Sequence, residues 1–158
     1  MHAFTPSEIK RFMQLKTPAK IQDFINSIGI NFEEDGDMCM SPLRALRANK
    51  AQCIEGALLA AYVLSLQGHK PLLFDLKINP QNRGDNDHVV ALFQKDGYFG
   101  AISKTNHYML RYREPIYKTL RELALSYFHE YFTEDGRKNL RSYSAVPLDL
   151  SQFDRKNW

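Results

Sequence analysis

One cysteine of the chain stands where chemistry is plausible on position alone. Residues 49–64, NKAQCIEGALLAAYVL, open polar and turn almost wholly apolar, with Cys53 near the change. If Asn49 caps a helix here, Cys53 is its fourth residue. Unpaired N–H groups and the positive end of the helix dipole then favour an anion at the sulfur. A thiolate is the form of cysteine that attacks carbonyls, and helix N-termini and cationic neighbours such as Arg47 and Lys50 lower the thiol pKa. Gly56, three residues on, leaves that helix face open to a close approach. The structural alternative is packing, because free cysteine is among the most buried residue types. Glu55, two positions from the thiol, points to another face and suits bonding to a neighbouring loop better than acid–base work.

A thiol nucleophile needs a base. His2 is terminal, His69 lies in a Gly-Pro turn, His129 sits on the polar side of a helical pattern, and His107 follows a hairpin. His88 opens a strand-like run directly after the polar stretch RGDND, where functional residues tend to gather. The next requirement is a group to orient the imidazole. Residues 88–94, HVVALFQ, and 98–103, YFGAIS, read as strands joined through Lys95-Asp96-Gly97, a hairpin signal. A two-residue loop closed by Lys95 and Tyr98 places His88 opposite Thr105 and diagonal to Ser103; a longer loop places Ser103 directly opposite. The candidates are therefore Ser103, Thr105 and Asn106, none of them a carboxylate. Asp75, Asp85 and Asp87 are substitutes from elsewhere, and a strand-end hydroxyl satisfying the backbone is the plain alternative for Ser103.

The elements that must hold these residues follow from periodicity. Thr5, Pro6 and Glu8 form a capping-box start for a helix whose face is Ile9, Phe12 and Met13. Thr17 and Pro18 repeat the device, with Ile21, Phe24, Ile25 and Ile28 as the face and Gly29 as the stop. EEDGD reads as a turn, and SPLRALR as a short helix starting after Ser41. The run to Leu66 is apolar on nearly all sides, so it is a buried central helix. In PLLFDLKI, Leu72, Phe74, Leu76 and Ile78 alternate with Leu73, Asp75 and Lys77 as in a strand. EPIYKTLRELALSYFHEYF predicts a long helix with Pro115 in its first turn and Ile116, Leu120, Leu123, Tyr127 and Tyr131 on one stripe. An edge strand is expected around residues 145–148. Helices followed by clustered strands indicate an α+β domain, with a central buried helix packed on a small antiparallel sheet of three strands.

The segment NKAQCIEGALLAAYVLSLQGHKPLLFDLK, a polar loop, and DHVVALFQKDGYFGAIS together resemble the core of the transglutaminase-like superfamily, within the papain-like cysteine protease fold. That family starts its central helix with the nucleophilic cysteine, often followed by a Glu and a small residue, as Cys53, Glu55 and Gly56 do. A strand follows, then a strand headed by the catalytic histidine, here His88. A third strand ends in an acidic residue, usually after an aromatic. Counted from Phe99 as the aromatic, the acid's place falls on Ser103, a departure from the family's pattern. The resemblance covers roughly residues 41–106 and implies a papain-like core with Cys53, His88 and Ser103 as the site, and the backbone N–H of Cys53 as an oxyanion donor.

With 158 residues, 44% hydrophobic and 25% charged, the chain reads as one domain: helices over 1–48, the site-bearing unit over 49–106, and a helix with a tail over 107–158. Cys39 and Cys53 have no CxxC partner or histidine-rich companion, so neither a zinc site nor a disulfide framework is indicated, and free thiols in a reducing compartment are expected. No cluster of His, Cys, Asp and Glu has metal-ligand spacing and no Gly-rich phosphate loop occurs, so no metal or cofactor is expected. The N-terminal residues lack a signal-peptide apolar core, and ALLAAYVLSL is about half the ~20 residues a membrane span needs. The expectation is a cytoplasmic protein without membrane contact. KTNHYMLRYREPIYK interleaves basic and aromatic residues as single-strand binders do, but a net charge of only +3 argues against nucleic acid. Two functions remain: a cysteine-dependent acyl transferase or amide hydrolase acting on a peptide or protein, and a non-catalytic peptide-binding module on the same fold.

Overall fold

The computed structural model describes residues 4–32, 39–81, 86–133 and 135–156. Three short helices begin with one local device, a hydroxyl side chain followed by proline. In α1 (Pro6–Met13), the Thr5 hydroxyl accepts from the Glu8 N–H, while the Glu8 carboxylate accepts the Thr5 N–H at 2.6 Å. Thr17 caps α2 (Pro18–Ser27), and Ser41 caps α3 (Pro42–Ala48). Phe12 and the α2 residues Ile21, Phe24 and Ile25 go into the core, whereas Met13 lies exposed. Gly29 does not end α2 in a left-handed turn. Ile28 leaves the helix extended, and Gly29–Ile30 (β1) pairs in parallel with Lys50–Ala51 (β2). EEDGD lies outside the described residues.

The central helix α4 (Cys53–Leu66) starts later than the sequence suggests. Asn49 takes φ 51° and closes α3 rather than opening α4, a left-handed conformation that Asn tolerates at low cost. Glu55 sets the true start: its carboxylate accepts the Gln52 N–H at 2.7 Å, which makes Cys53 the first helical residue. Beyond it Ala57, Leu59, Ala60, Ala61, Val63 and Leu64 are all buried.

The larger sheet contains β3 (Leu72–Ile78), β4 (His88–Lys95), β5 (Tyr98–Ile102), β6 (Arg113–Tyr117), β7 (Leu140–Tyr143) and β8 (Leu148–Asp149), all antiparallel. Its order is β6-β5-β4-β3-β7, with β8 also on β3. The protein is thus α+β, with five α-helices among the described residues. One face of the sheet, with Leu73, Ala91, Phe93 and Ile102, packs on the core that α1, α2 and α4 build. The other, with Phe74, Leu76, Val90, Leu92 and Ala101, packs on Leu123 and Tyr127 of α5 (Leu120–Phe128). Two covered faces explain why Leu73 interrupts the polar phase of β3.

The second half departs from expectation in three ways. Among the described residues the sheet has six strands rather than three. Residues 113–117 are a strand, so the helix starts only after the Thr119 cap, and Tyr131 lies beyond its end. Pro115 is tolerated in β6 because that strand is an edge, where a missing N–H breaks no necessary bond. The expected edge strand at 145–148 falls mostly between β7 and β8, which supply the outer partners of β3. No helix of the described residues is long and apolar enough to cross a membrane.

Past the end of β5 the chain is fastened to the helices. Lys104 is buried, and its ammonium donates to the carbonyls of Ile25 (3.1 Å) and Ile28 at the end of α2. Its stem packs on α4 where Gly56 has no side chain: a Cβ there would lie 2.2 Å from the Lys104 Cβ. Gly56→Ala should therefore cost about 1–3 kcal/mol of overpacking strain, read as a lower urea midpoint. Burial, and secondarily the like charge of Arg111, lowers the Lys104 pKa to about 8. An unfolded lysine keeps its proton to about pH 10.4, so between these values the unfolded chain binds more protons and folding gains as pH rises. The stability of wild type minus that of Lys104→Met should increase from pH 8 to pH 10 in urea titrations. A flat difference would contradict a desolvated Lys104.

Candidate active site

The sulfur of Cys53 sits at a fork in the sheet. On β3, Asp75 directs its backbone toward Ser144, accepting its N–H at 2.9 Å and donating to its hydroxyl at 3.1 Å. Val89, the residue across from Asp75, therefore aims its N–H away from β3 toward the β5 side. Pairing of β5 with β4 ends at Ala91↔Ile102, so no strand meets that N–H, and the thiol does. The sulfur also donates to the Asp87 carbonyl at 3.8 Å, so it touches the backbone on both sides of His88. From α4 come the N–H groups of Cys53 and Ile54, donors that a helix start leaves without intrahelical partners.

The strand entry is pinned from two directions. The Asp87 carboxylate accepts the Ile78 N–H at 2.9 Å, and the Asn86 carbonyl accepts the Tyr131 hydroxyl at 3.0 Å. The Tyr131 ring lies 6.4 Å from the His88 ring, centre to centre. His88 itself is buried, and its Nε2 is 2.6 Å from Ser103 Oγ. This contact follows from the hairpin. Asp96 and Gly97 both take positive φ, the two-residue loop closes on Lys95↔Tyr98, and the resulting register puts Ser103 diagonal to His88. Cys53 and His88 both line one cleft of about 550 Å³, together with His107, Met109, Tyr131 and Phe132.

Of the alternative partners for the ring, Thr105 receives the His107 N–H on its hydroxyl and Arg111 on its carbonyl, and with Asn106 it lines the cleft. Asp75 lies on the helix-facing side of β3 by alternation with Leu73, Asp87 holds Ile78, and Asp85 lies outside the described residues. Glu55 takes the structural role: fully buried, it accepts from the Gln52 and Met40 N–H groups and from the Asn31 amide. Arg47 pairs with Glu8 at 3.4 Å.

Sequence reasoning missed two contributors. Gln22 of α2 holds the backbone of Ser103 through its side-chain amide, and Tyr131 reaches the cleft from beyond α5. The signal for Gln22 was there: a polar residue beside Ile21 and Ile25 on an otherwise apolar stripe.

The electrostatics correct one expectation. Burial pushes the Cys53 thiol up, against the pull of the Val89, Ile54 and Cys53 N–H groups, and the negative charge of Asp75 pushes it further. The helix end alone does not hold a ready thiolate. Among the described residues no group of three or more His, Cys, Asp and Glu side chains is arranged to hold a metal ion.

No family model and no curated protein matches the chain, so the roles of these residues rest on the geometry above. The thiol electrostatics can be checked directly. Iodoacetamide should label exposed Cys39 faster than Cys53 at neutral pH, and the Cys53 rate should keep rising above pH 8.5, near the ordinary cysteine pKa. Asp75→Asn removes one of the raising influences and should move the Cys53 profile to lower pH. An unmoved profile would take Asp75 out of the account.

Proposed function

We propose that the protein is a cysteine-dependent acyl transferase or amide hydrolase with a papain-like, transglutaminase-like core, acting on a carboxamide or peptide carbonyl. The observation that carries this reading is the 2.6 Å contact of His88 Nε2 with Ser103 Oγ at a cleft that His88 lines together with Cys53, the first residue of the central helix. With Nε2–H donating to Ser103, Nδ1 is the basic nitrogen. Because the thiol pKa is raised, His88 works as a general base at the moment of attack rather than through a standing ion pair. The S–H bond breaks toward Nδ1 as sulfur bonds to the carbonyl carbon, and the C=O pair moves onto oxygen. The N–H of Cys53 meets that oxyanion. Collapse expels the amine, which takes the proton from the imidazolium and leaves a thioester on Cys53. Water or a second amine, deprotonated by His88, then releases the acyl group. Ser103 orients the ring through a dipole and adds no negative charge to stabilise imidazolium, which fits a slow enzyme.

A second reading, a non-catalytic peptide-binding module on the same core, is favoured by two observations: the neutral third residue and the raised thiol. The substrate or ligand in either case is a peptide or protein, without a cofactor. Two cysteines without a disulfide-framework or zinc spacing in the sequence fit a reducing, cytoplasmic setting.

p-Nitrophenyl acetate separates the two readings. An enzyme should acetylate Cys53, seen by mass spectrometry of its peptide, and release nitrophenol in a burst. His88→Ala should slow this at least about 100-fold, the range of general base catalysis. Ser103→Ala should cost about tenfold, since a neutral hydrogen bond is worth about 1 kcal/mol. Acetylation of Cys39 in preference to Cys53, or no effect of His88→Ala, would leave the binding module.

A further inference from the structure

We infer that Gln22 is a positioning residue of this site, holding Ser103 so that its hydroxyl meets the His88 ring; the inference rests on the catalytic reading above. Ser103 stands two residues beyond Ala101, the last residue of β5 paired with β6, and by alternation its backbone groups point to that side, away from β4. There the chain has no neighbouring strand, yet Ser103 is fully buried and its backbone groups need partners. Gln22 supplies both. Its Oε1 accepts the Ser103 N–H at 3.0 Å, and its Nε2 donates to the Ser103 carbonyl at 2.8 Å. The same Nε2 donates its other hydrogen to Asn26 Oδ1 at 2.8 Å, which fixes which end of the amide is which. The side chain is itself buried, at 4% exposure.

One amide gripping both backbone groups of a single residue acts as a one-residue strand. It restrains φ and ψ at Ser103 and so the direction of its Cα–Cβ bond. A hydroxyl sits one rotatable bond from that vector, so fixing the vector places Oγ where the ring requires it. Lys104, the next residue, is fastened to the end of the same helix through the Ile25 and Ile28 carbonyls. Helix α2 therefore splints the strand end that carries the third residue, and Gln22 is the part of the splint that touches Ser103 itself. Apolar residues of similar length fill the same space and supply neither bond.

A double-mutant cycle tests this on the full chain, with p-nitrophenyl acetate as probe, rates taken per folded molecule, and folding followed by circular dichroism. Gln22→Met and Ser103→Ala should each slow Cys53 acetylation about tenfold, and the double variant should also be about tenfold slower, not about a hundredfold, because both break one unit. A wild-type rate for Gln22→Met, or losses that multiply, overturns the inference. Imidazole ¹⁵N spectra give a second readout independent of turnover. Wild-type His88 should show a protonated, hydrogen-bonded Nε2, and Gln22→Met should lose that signature as Ser103→Ala does. Should Gln22→Met not fold, Gln22→Glu keeps the acceptor and loses the donor at neutral pH; it should slow the reaction and alter the ring signature, and no change in either overturns the inference. If His88→Ala leaves acetylation unaffected while Gln22→Met still shifts the ring spectrum, catalysis fails as a reading and the positioning survives.

Discussion

A carboxyl group removed from water decides where the central helix begins. Burying one is costly by several kcal/mol unless its oxygens are met, and those of Glu55 are met from three directions: the Gln52 N–H, the Met40 N–H and the Asn31 amide. Those partners come from the helix start, from the residue before the α3 cap, and from the residue after β1. Glu55 thus ties three segments to a single point, and it fixes Cys53 as the first helical residue. Shifting the helix start by a turn would strand the carboxylate among unpaired donors. The position of the sulfur is a consequence of this satisfaction of polar groups, not of any helix propensity near Cys53.

The second constraint is the parting of β4 and β5. Antiparallel pairing directs alternate backbone groups to opposite sides, so when β5 leaves after Ile102 the Val89 N–H on that side has no strand to meet. The thiol fills this place on β4, while Gln22 takes the backbone groups of Ser103 on the opposite edge of β5, where pairing with β6 has ended. The parting of the strands leaves His88 at the lip of a cleft rather than within a continuous sheet. The sheet's far face, covered by α5 and approached by Tyr131, closes over the ring.

The electrostatic character of the site follows from the same burial. The sulfur gains three backbone donors, but loss of solvent outweighs them and Asp75 adds a like charge. Ser103 offers the imidazole a strong short contact without a charge. The raised thiol sets the resting sulfur toward its neutral form. Had the third residue been acidic in so buried a place, it would have required further donors, and Gln22 already commits its amide to the backbone.

Local rules were legible wherever the residues concerned are close in sequence. The hydroxyl-proline caps at Thr5, Thr17 and Ser41 depend on neighbours three residues away, and the Asp96-Gly97 turn fixes a register that carries Ser103 toward His88. The Pro115 stretch misled because its helical spacing is also satisfied by a half-exposed edge strand; only a neighbouring β5 turns it into β6. The start of α4 misled for a similar reason: Asn49 is an acceptable cap, but a second acceptable use as a left-handed close for α3 wins once Glu55 finds Met40 and Asn31. What sequence alone determined is therefore the periodicity, the hydroxyl-proline caps and the place of the hairpin turn, since these rest on contacts within a few residues. What tertiary structure decided is the helix start, the fork and the raised thiol, because desolvation and polar satisfaction depend on groups tens of residues away that only the packed chain brings together.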